Sequence, residues 1–352
     1  MQKEVFDMLP MELFTLQGLW FVLAGIFLIG YAVTDGFDLG TGFPMIFTKS
    51  EEDRNVLYNV VAPVWDGNEV WLIAGGGMLF AAFPAVYAAS FSGFYIAILL
   101  VLWALIGRAI AFEYRNKSES LGWRRTFDFI YWIGNVLPAI LFGCAVGNAV
   151  VGVPIDKDGA YLGDFFTLLR PVPLAMGLVS LFMFAMHGAA YLLRKTEGSV
   201  FEMAKKYAVI SAFGYLAAVI LTNVLSLIQA PYLYTNYLKY PIFFIVPVVM
   251  LISWIVYLQF LKSGKYENMV YVSSVLSGAT VLNVALASFP VFIRSTINPE
   301  YSLTVFNSAS SELTLKVMLI VTIIFMPIVL YYTKYAYKVF AGKVKGDTSY
   351  YQ

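Results

Sequence analysis

The chain has 352 residues, of which 60% are hydrophobic and 13% charged. Soluble domains carry roughly a quarter charged residues, so this composition excludes an ordinary globular domain, and long apolar runs in place of short alternating segments exclude a β-barrel. A net charge of +1 provides no global field for nucleic acid, and a lone Cys144 excludes an intramolecular disulfide or a thiolate metal cluster.

An apolar helix needs about 20 residues to cross the hydrocarbon core. Nine candidates follow along the chain, at 13–34, 57–82, 84–112, 127–152, 171–193, 207–229, 241–261, 269–293 and 314–340. No small-residue cleavage site follows the first, so it reads as a span and not as a signal peptide. It runs into YAVTDGFDLGTGF, which places Asp35 and Asp38 about 33 Å beyond Leu13, near the far end of the span.

The second span carries Asp66, Asn68 and Glu69 within one turn, with Trp65 and Trp71 on either side. Counted from Asn55, Asp66 lies about 16 Å in, near mid-membrane, with Glu69 slightly deeper. A charge there costs on the order of +2.5 to +3.5 kcal/mol even on the lenient scale, so such acids are shielded in a bundle and used. Gly75-Gly76-Gly77 reads as a close-packing surface. Pro84 opens the third span, since its missing N–H costs nothing in a first turn. Arg108 then lies about 36 Å along, back at the depth of Asp35 and Asp38. Asp128 reads as a helix N-terminal charge on the fourth span.

His187, in the fifth span, is the only histidine. One histidine cannot form a bis-His haem site, and it reads as a satisfied polar contact. The second half holds Pro231, Pro241, Pro247 and Pro290 but few ionisable groups, and reads as scaffold. Asn298-Pro299 and the run Asn307 to Glu312 signal turns and a helix cap before Leu313. Lys316 snorkels at the start of the last span, and the tail is short and basic.

Alternating the connections places sixteen Lys and Arg on one side and five on the other, with Arg108 and Lys316 inside spans. That bias predicts an outside N-terminus and a cytoplasmic C-terminus. The fold expected is an all-α polytopic membrane protein of two four-helix bundles plus one additional helix. Residues 1–152 form the first bundle with the acids, 153–293 the second, and 294–352 an outer loop, the ninth helix and the tail. Two functions suit acids at successive depths: a proton path from the cytoplasm, or a proton-coupled secondary transporter with Asp66 and Glu69 at a midplane site. Asp35, Asp38 and Arg108 by themselves also suit a structural ion-pair network.

The segments AVTDGFDLGTG (32–42), APVWDGNEVWLIAGGGMLFAAFPAVYAASFSGFY (62–95), GRAIAFEYR (107–115) and SLTVFNSASSELTLKVM (302–318) resemble subunit II of cytochrome bd-type quinol oxidases, including the cyanide-insensitive variety. The resemblance covers nearly the whole chain, and WDGNEVW is its most specific block. It implies a complex in a bacterial or archaeal cell membrane that oxidises quinol and reduces O₂ to water, taking protons from the cytoplasm. Haem b and haem d are then held by the partner, subunit I, and none is ligated by this chain; small single-span accessory subunits are possible further partners. The resemblance places Asp35 or Asp38 and Asp66 on a proton route, Arg108 beside them, and Trp71 at O₂ access. Glu69 stands where some members carry Gln, so Asp66 carries more weight as a proton carrier.

Overall fold

The computed structural model describes residues 10–344. Among them, eight helices are long and apolar enough to cross a membrane, or nine if a bent pair counts as one span. The expected all-α membrane architecture is present, with helices α1 (Leu16–Gly42), α2 (Glu51–Val61), α3 (Trp65–Ala82), α4 (Pro84–Gly93), α5 (Tyr95–Tyr114) and α6 (Leu121–Val151) in the first half. The second half contributes α7 (Pro171–Lys195), α8 (Gly198–Gln229), the short α9 (Thr235–Lys239), α10 (Ile245–Ser263), α11 (Tyr266–Ser288) and α12 (Glu312–Val339). A two-stranded hairpin, β1 (Val291–Ile293) with β2 (Leu303–Thr304), links α11 to α12.

Helix α1 is the axis of the molecule and packs against α3, α6, α7 and α11. Its glycines let neighbours approach. A Cβ on Gly40 would sit 1.9 Å from the Phe184 carbonyl oxygen, and one on Gly188 would sit 2.2 Å from the Gly40 carbonyl carbon. The backbones of α1 and α7 therefore touch at Gly40 and Gly188, an approach that small residues permit between membrane helices.

Three spans differ from their sequence reading. The predicted 57–82 span is two helices, because Pro63 cannot donate the amide that would continue α2. Helix α3 therefore begins at Trp65, and the acids stand in its first turns. The predicted 84–112 span breaks at Phe94 into α4 and α5, and α4 is turned by 120° from α3. Asp128 lies two turns inside α6, which begins at Leu121, and is therefore not a helix-end charge. The cap before Leu313 is present: the Ser311 hydroxyl accepts from the Thr314 amide at the start of α12.

Helix α12 is fastened at its two ends. At its start Ser310 donates its amide to the Ala82 carbonyl at 2.8 Å, and the Trp20 indole donates to the Leu315 carbonyl at 3.1 Å. At its finish the buried Lys195 ammonium donates to the Phe340 and Gly342 carbonyls, and Val344 donates back to the Lys195 carbonyl. Between these ends α12 is almost wholly exposed, with Leu315 its one fully buried residue.

Candidate intramembrane carboxylate site

The acids of α1 and α3 and the arginine of α5 meet at one level. Arg108 binds Asp35 through both terminal nitrogens, Nη2 to Oδ1 at 2.7 Å and Nη1 to Oδ2 at 3.3 Å. The same Nη2 donates to a Glu69 oxygen. Arg108 and Asp35 are 1% and 0% exposed, whereas Glu69 keeps 22%, so the pair is sealed while Glu69 reaches the protein surface. A planar guanidinium suits this work, because its fork matches a carboxylate and it holds its charge when buried.

Asp38 lies one turn along α1 from Asp35 and uses a different partner. Asn68 donates to Asp38 Oδ2 at 2.6 Å, and the Tyr337 hydroxyl on α12 donates to Asn68 Oδ1 at 2.6 Å. The second Asp38 oxygen is buried with no hydrogen-bond partner among the described residues. Because Asn68 sits beside Asp38, and Glu69 beside Arg108, the carboxyl groups form one layer near the C-terminal end of α1. The expected ladder from the membrane edge to its middle is replaced by this single layer; the helix break at Pro63 moves Asp66 and Glu69 from mid-span to a helix start.

Asp66 stands apart from the buried network. It is exposed on a face of α3 that continues through Val70, Ile73 and Phe80, themselves 50%, 71% and 62% exposed. The two tryptophans have separate surroundings. Trp65 stacks on Phe112 at 4.9 Å, with the Arg108 guanidinium carbon 6.0 Å from its ring. Trp71 covers Gly30, where an added Cβ would fall 2.2 Å from the indole. It lines an apolar groove of about 470 Å³ between α1, α3 and α12, together with Gly30, Leu330 and Tyr337. Of the three consecutive glycines, only Gly75 packs, against Phe27, while Gly76 and Gly77 face open space.

A second ionic layer lies closer to the α2 end. Arg115 donates to Asp128 at 2.6 Å, Asn55 at 2.6 Å and Glu51 at 2.8 Å, and Arg54 reaches the other Asp128 oxygen at 2.7 Å. Arg108 and Phe112 lie on one buried face of α5 and Arg115 follows directly after its last residue, so the two ionic layers are about 10 Å apart along it. Between them Tyr58, Trp65, Phe112 and Tyr131 form an aromatic layer with ring centres 4.3 to 5.6 Å apart.

Tyr337, Asn68 as a bridge, and the Arg115–Asp128 network escaped the sequence reading. Tyr337 is 269 positions from Asn68, so no local pattern announces it. The spacing of Arg108, Phe112 and Arg115 at i, i+4 and i+7 was available as a signal for the second layer.

His187 is satisfied, as its isolation suggested. Its Nε2 donates to the Val33 carbonyl at 2.9 Å, which leaves Nδ1 to accept from Ser273 at 2.7 Å. An iron would have to break one of these bonds. The described residues contain no group of three or more His, Cys, Asp or Glu placed to hold a metal ion.

A polytopic helical chain that shields a guanidinium-bound carboxylate layer among long apolar helices has the build of an integral membrane protein. The comparisons specify which: a family model for cytochrome bd terminal oxidase subunit II matches residues 16–340, and the chain belongs to that family. It is accordingly a subunit of an oxidoreductase complex, in which subunit I is the partner. The chain is 36% identical to a probable cytochrome oxidase subunit 2 of Haemophilus influenzae, over 94% of this chain and 96% of that one. It is 35% identical to the cytochrome bd-I ubiquinol oxidase subunit 2 of Escherichia coli, with the same coverage. A Bacillus subtilis cytochrome bd ubiquinol oxidase subunit 2 is 31% identical over 94% of this chain and 97% of its own. A solved bd oxidase from Geobacillus thermodenitrificans shares the fold, with a TM-score of 0.75 at 14% identity over 92% of this chain and 98% of that one.

Proposed function

We propose that this chain delivers protons from the cytoplasm to an O₂-reduction site held by subunit I of a quinol oxidase, with Asp66 as the residue facing that subunit. The observation that carries this reading is the division of the carboxyl groups. Asp35, Asp38 and Glu69 are tied to Arg108 or Asn68, while Asp66 lies exposed on an otherwise apolar helix face. A carboxylate turned toward lipid is expensive, so this face is covered in the complex. The relatives' names supply the substrate class, ubiquinol.

Each residue then has a task. Arg108 fixes Asp35 and Glu69 and offsets part of their charge. Two carboxyl groups, Asp35 and Glu69, share this one guanidinium, and Asp38 lies one turn away on Asn68. Tyr337 and Asn68 hold Asp38 in a short hydrogen-bonded chain. Trp71, on the groove beside Gly30, lines a route for a small apolar molecule such as O₂. Haem b and haem d reside in subunit I, consistent with a satisfied His187 here. The N-terminus lies outside and the C-terminus in the cytoplasm of a bacterial or archaeal cell membrane, with residues 1–152 and 153–293 as two bundles and small accessory subunits beside them.

The test is Asp66→Asn in the purified complex. O₂ consumption driven by a soluble quinol should fall at least about tenfold, the size of one misplaced proton-transfer step of roughly 1.4 kcal/mol, while the haem absorption spectrum stays as in wild type. Undiminished turnover in an intact complex removes Asp66 from the path.

A further inference from the structure

Two arginines gather at the end of the bundle where α1 begins, far from the carboxylate layer. Arg170 precedes α7 and Arg294 follows β1. The Arg170 Nη2 donates to Asn148 Oδ1 at 2.9 Å and to the Gly152 carbonyl. Arg294 is fixed to the same turn by its backbone, its amide donating to the Ala149 carbonyl at 3.0 Å and its carbonyl accepting from Val153 at 2.8 Å. Gly152, at φ 102°, makes the reversal that brings these strands of chain together, in a region that side chains rarely adopt. The Arg294 guanidinium carbon lies 4.2 Å from the centre of the Tyr232 ring, and the Tyr232 hydroxyl donates to the Val151 carbonyl.

Among the described residues, neither guanidinium has a carboxylate. Arg54, Arg108 and Arg115 each hold at least one, whereas among the described residues Arg170 and Arg294 form no ion pair. The Nε of each is buried and without a hydrogen-bond partner. Burial pushes the Arg170 guanidinium below its ordinary value, and only Tyr232 and Tyr161 act in the other direction. Two partly buried positive charges with free donors and no counter-charge among the described residues are a demand for an anion. Arginine forks match phosphate oxygens in pairs. Phe166, Leu169 and Leu174, 74%, 46% and 42% exposed, give the site an apolar rim.

We propose that Arg170 and Arg294 form a binding site for a phosphate-bearing anion, supplied by the headgroup of an acidic phospholipid or by free phosphate. The apolar rim favours the lipid. The site is separate from the proton-path reading and stands or falls without it.

The test uses the purified complex of this chain with subunit I, in phosphatidylcholine nanodiscs titrated with phosphatidylglycerol, with bound lipid counted by native mass spectrometry. The Arg294 side chain donates no hydrogen bond within the described residues, so Arg294→Gln should leave the fold and haem spectrum intact. Retention of phosphatidylglycerol should fall about tenfold in that variant, the share of one charge-assisted contact, and Arg294→Lys should restore part of it. Arg124→Gln, at the other end of the molecule, should retain as much as wild type. In a parallel arm, inorganic phosphate that displaces the lipid, with a smaller effect on Arg294→Gln, would assign the site to free phosphate. Equal retention by wild type and Arg294→Gln, together with no response to phosphate, overturns the proposal.

Discussion

Arg108 holds two carboxylates with one guanidinium, and this makes it the residue with most to lose. In Arg108→Ala, Asp35 would be left buried without a partner, a loss of about 3–5 kcal/mol. The complex should then assemble poorly, read as reduced haem content per membrane protein. Normal assembly of Arg108→Ala would mean that Asp35 is protonated or solvated in the complex. Tyr337→Phe is a gentler change. It keeps the ring against Phe37, at 6.2 Å between centres, and deletes only the hydroxyl that binds Asn68. One neutral hydrogen bond is worth about 1 kcal/mol, so assembly should be normal and quinol-driven turnover several-fold slower. A turnover identical to wild type would show that Asn68 needs no help in presenting its amide to Asp38.

Helices α1 and α7 meet backbone to backbone, and α12 is fastened by hydrogen bonds near its two ends; the two contacts respond to different changes. Gly188→Ala would put a methyl group into the Gly40 backbone, an overpacking cost of about 1–3 kcal/mol. The midpoint of thermal haem release should drop, and a wild-type midpoint would mean that the helices can slide apart. Lys195→Met removes the donor to two carbonyls at the end of α12. Limited proteolysis should then release the basic tail faster while the rest of the chain resists, and unchanged cleavage would assign the tail's hold to the Lys343–Glu197 pair at 3.0 Å. At this scale the sequence reading did well with apolar content and poorly with breaks. Long hydrophobic runs announced the helices, and Ser311 announced a cap. Pro63 was a visible stop signal inside the predicted 57–82 span, yet the apolar residues on both sides of it outweighed one proline. The 120° turn after Phe83 had no local signature beyond Pro84, which opens a helix equally well in a straight run.

For the whole molecule, membrane residence and family were legible because both rest on long stretches, and the carboxyl residues themselves were singled out by their rarity in apolar sequence. Their arrangement was not legible. It depends on which residue of α5 and α12 faces α1 and α3, a matter of packing between distant segments. The bias of positive charge predicts the orientation, and single cysteines check it. Lys157→Cys should react with an impermeant maleimide added outside intact cells, and Lys262→Cys only after the cells are opened; the reverse pattern would invert the topology. The aromatic layer between the two ionic layers bears on how water enters. Four rings and the ion pairs of Arg115 sit like a stopper on that side of the carboxyl layer. The layer opens instead on the flank, where Glu69 keeps its 22% exposure and the groove beside α12 runs past Tyr337. A second subunit settling on that flank would thus decide when the carboxyl layer is wetted, and, on the proposed proton-delivery function, the timing of supply would belong to the assembly and not to this chain alone.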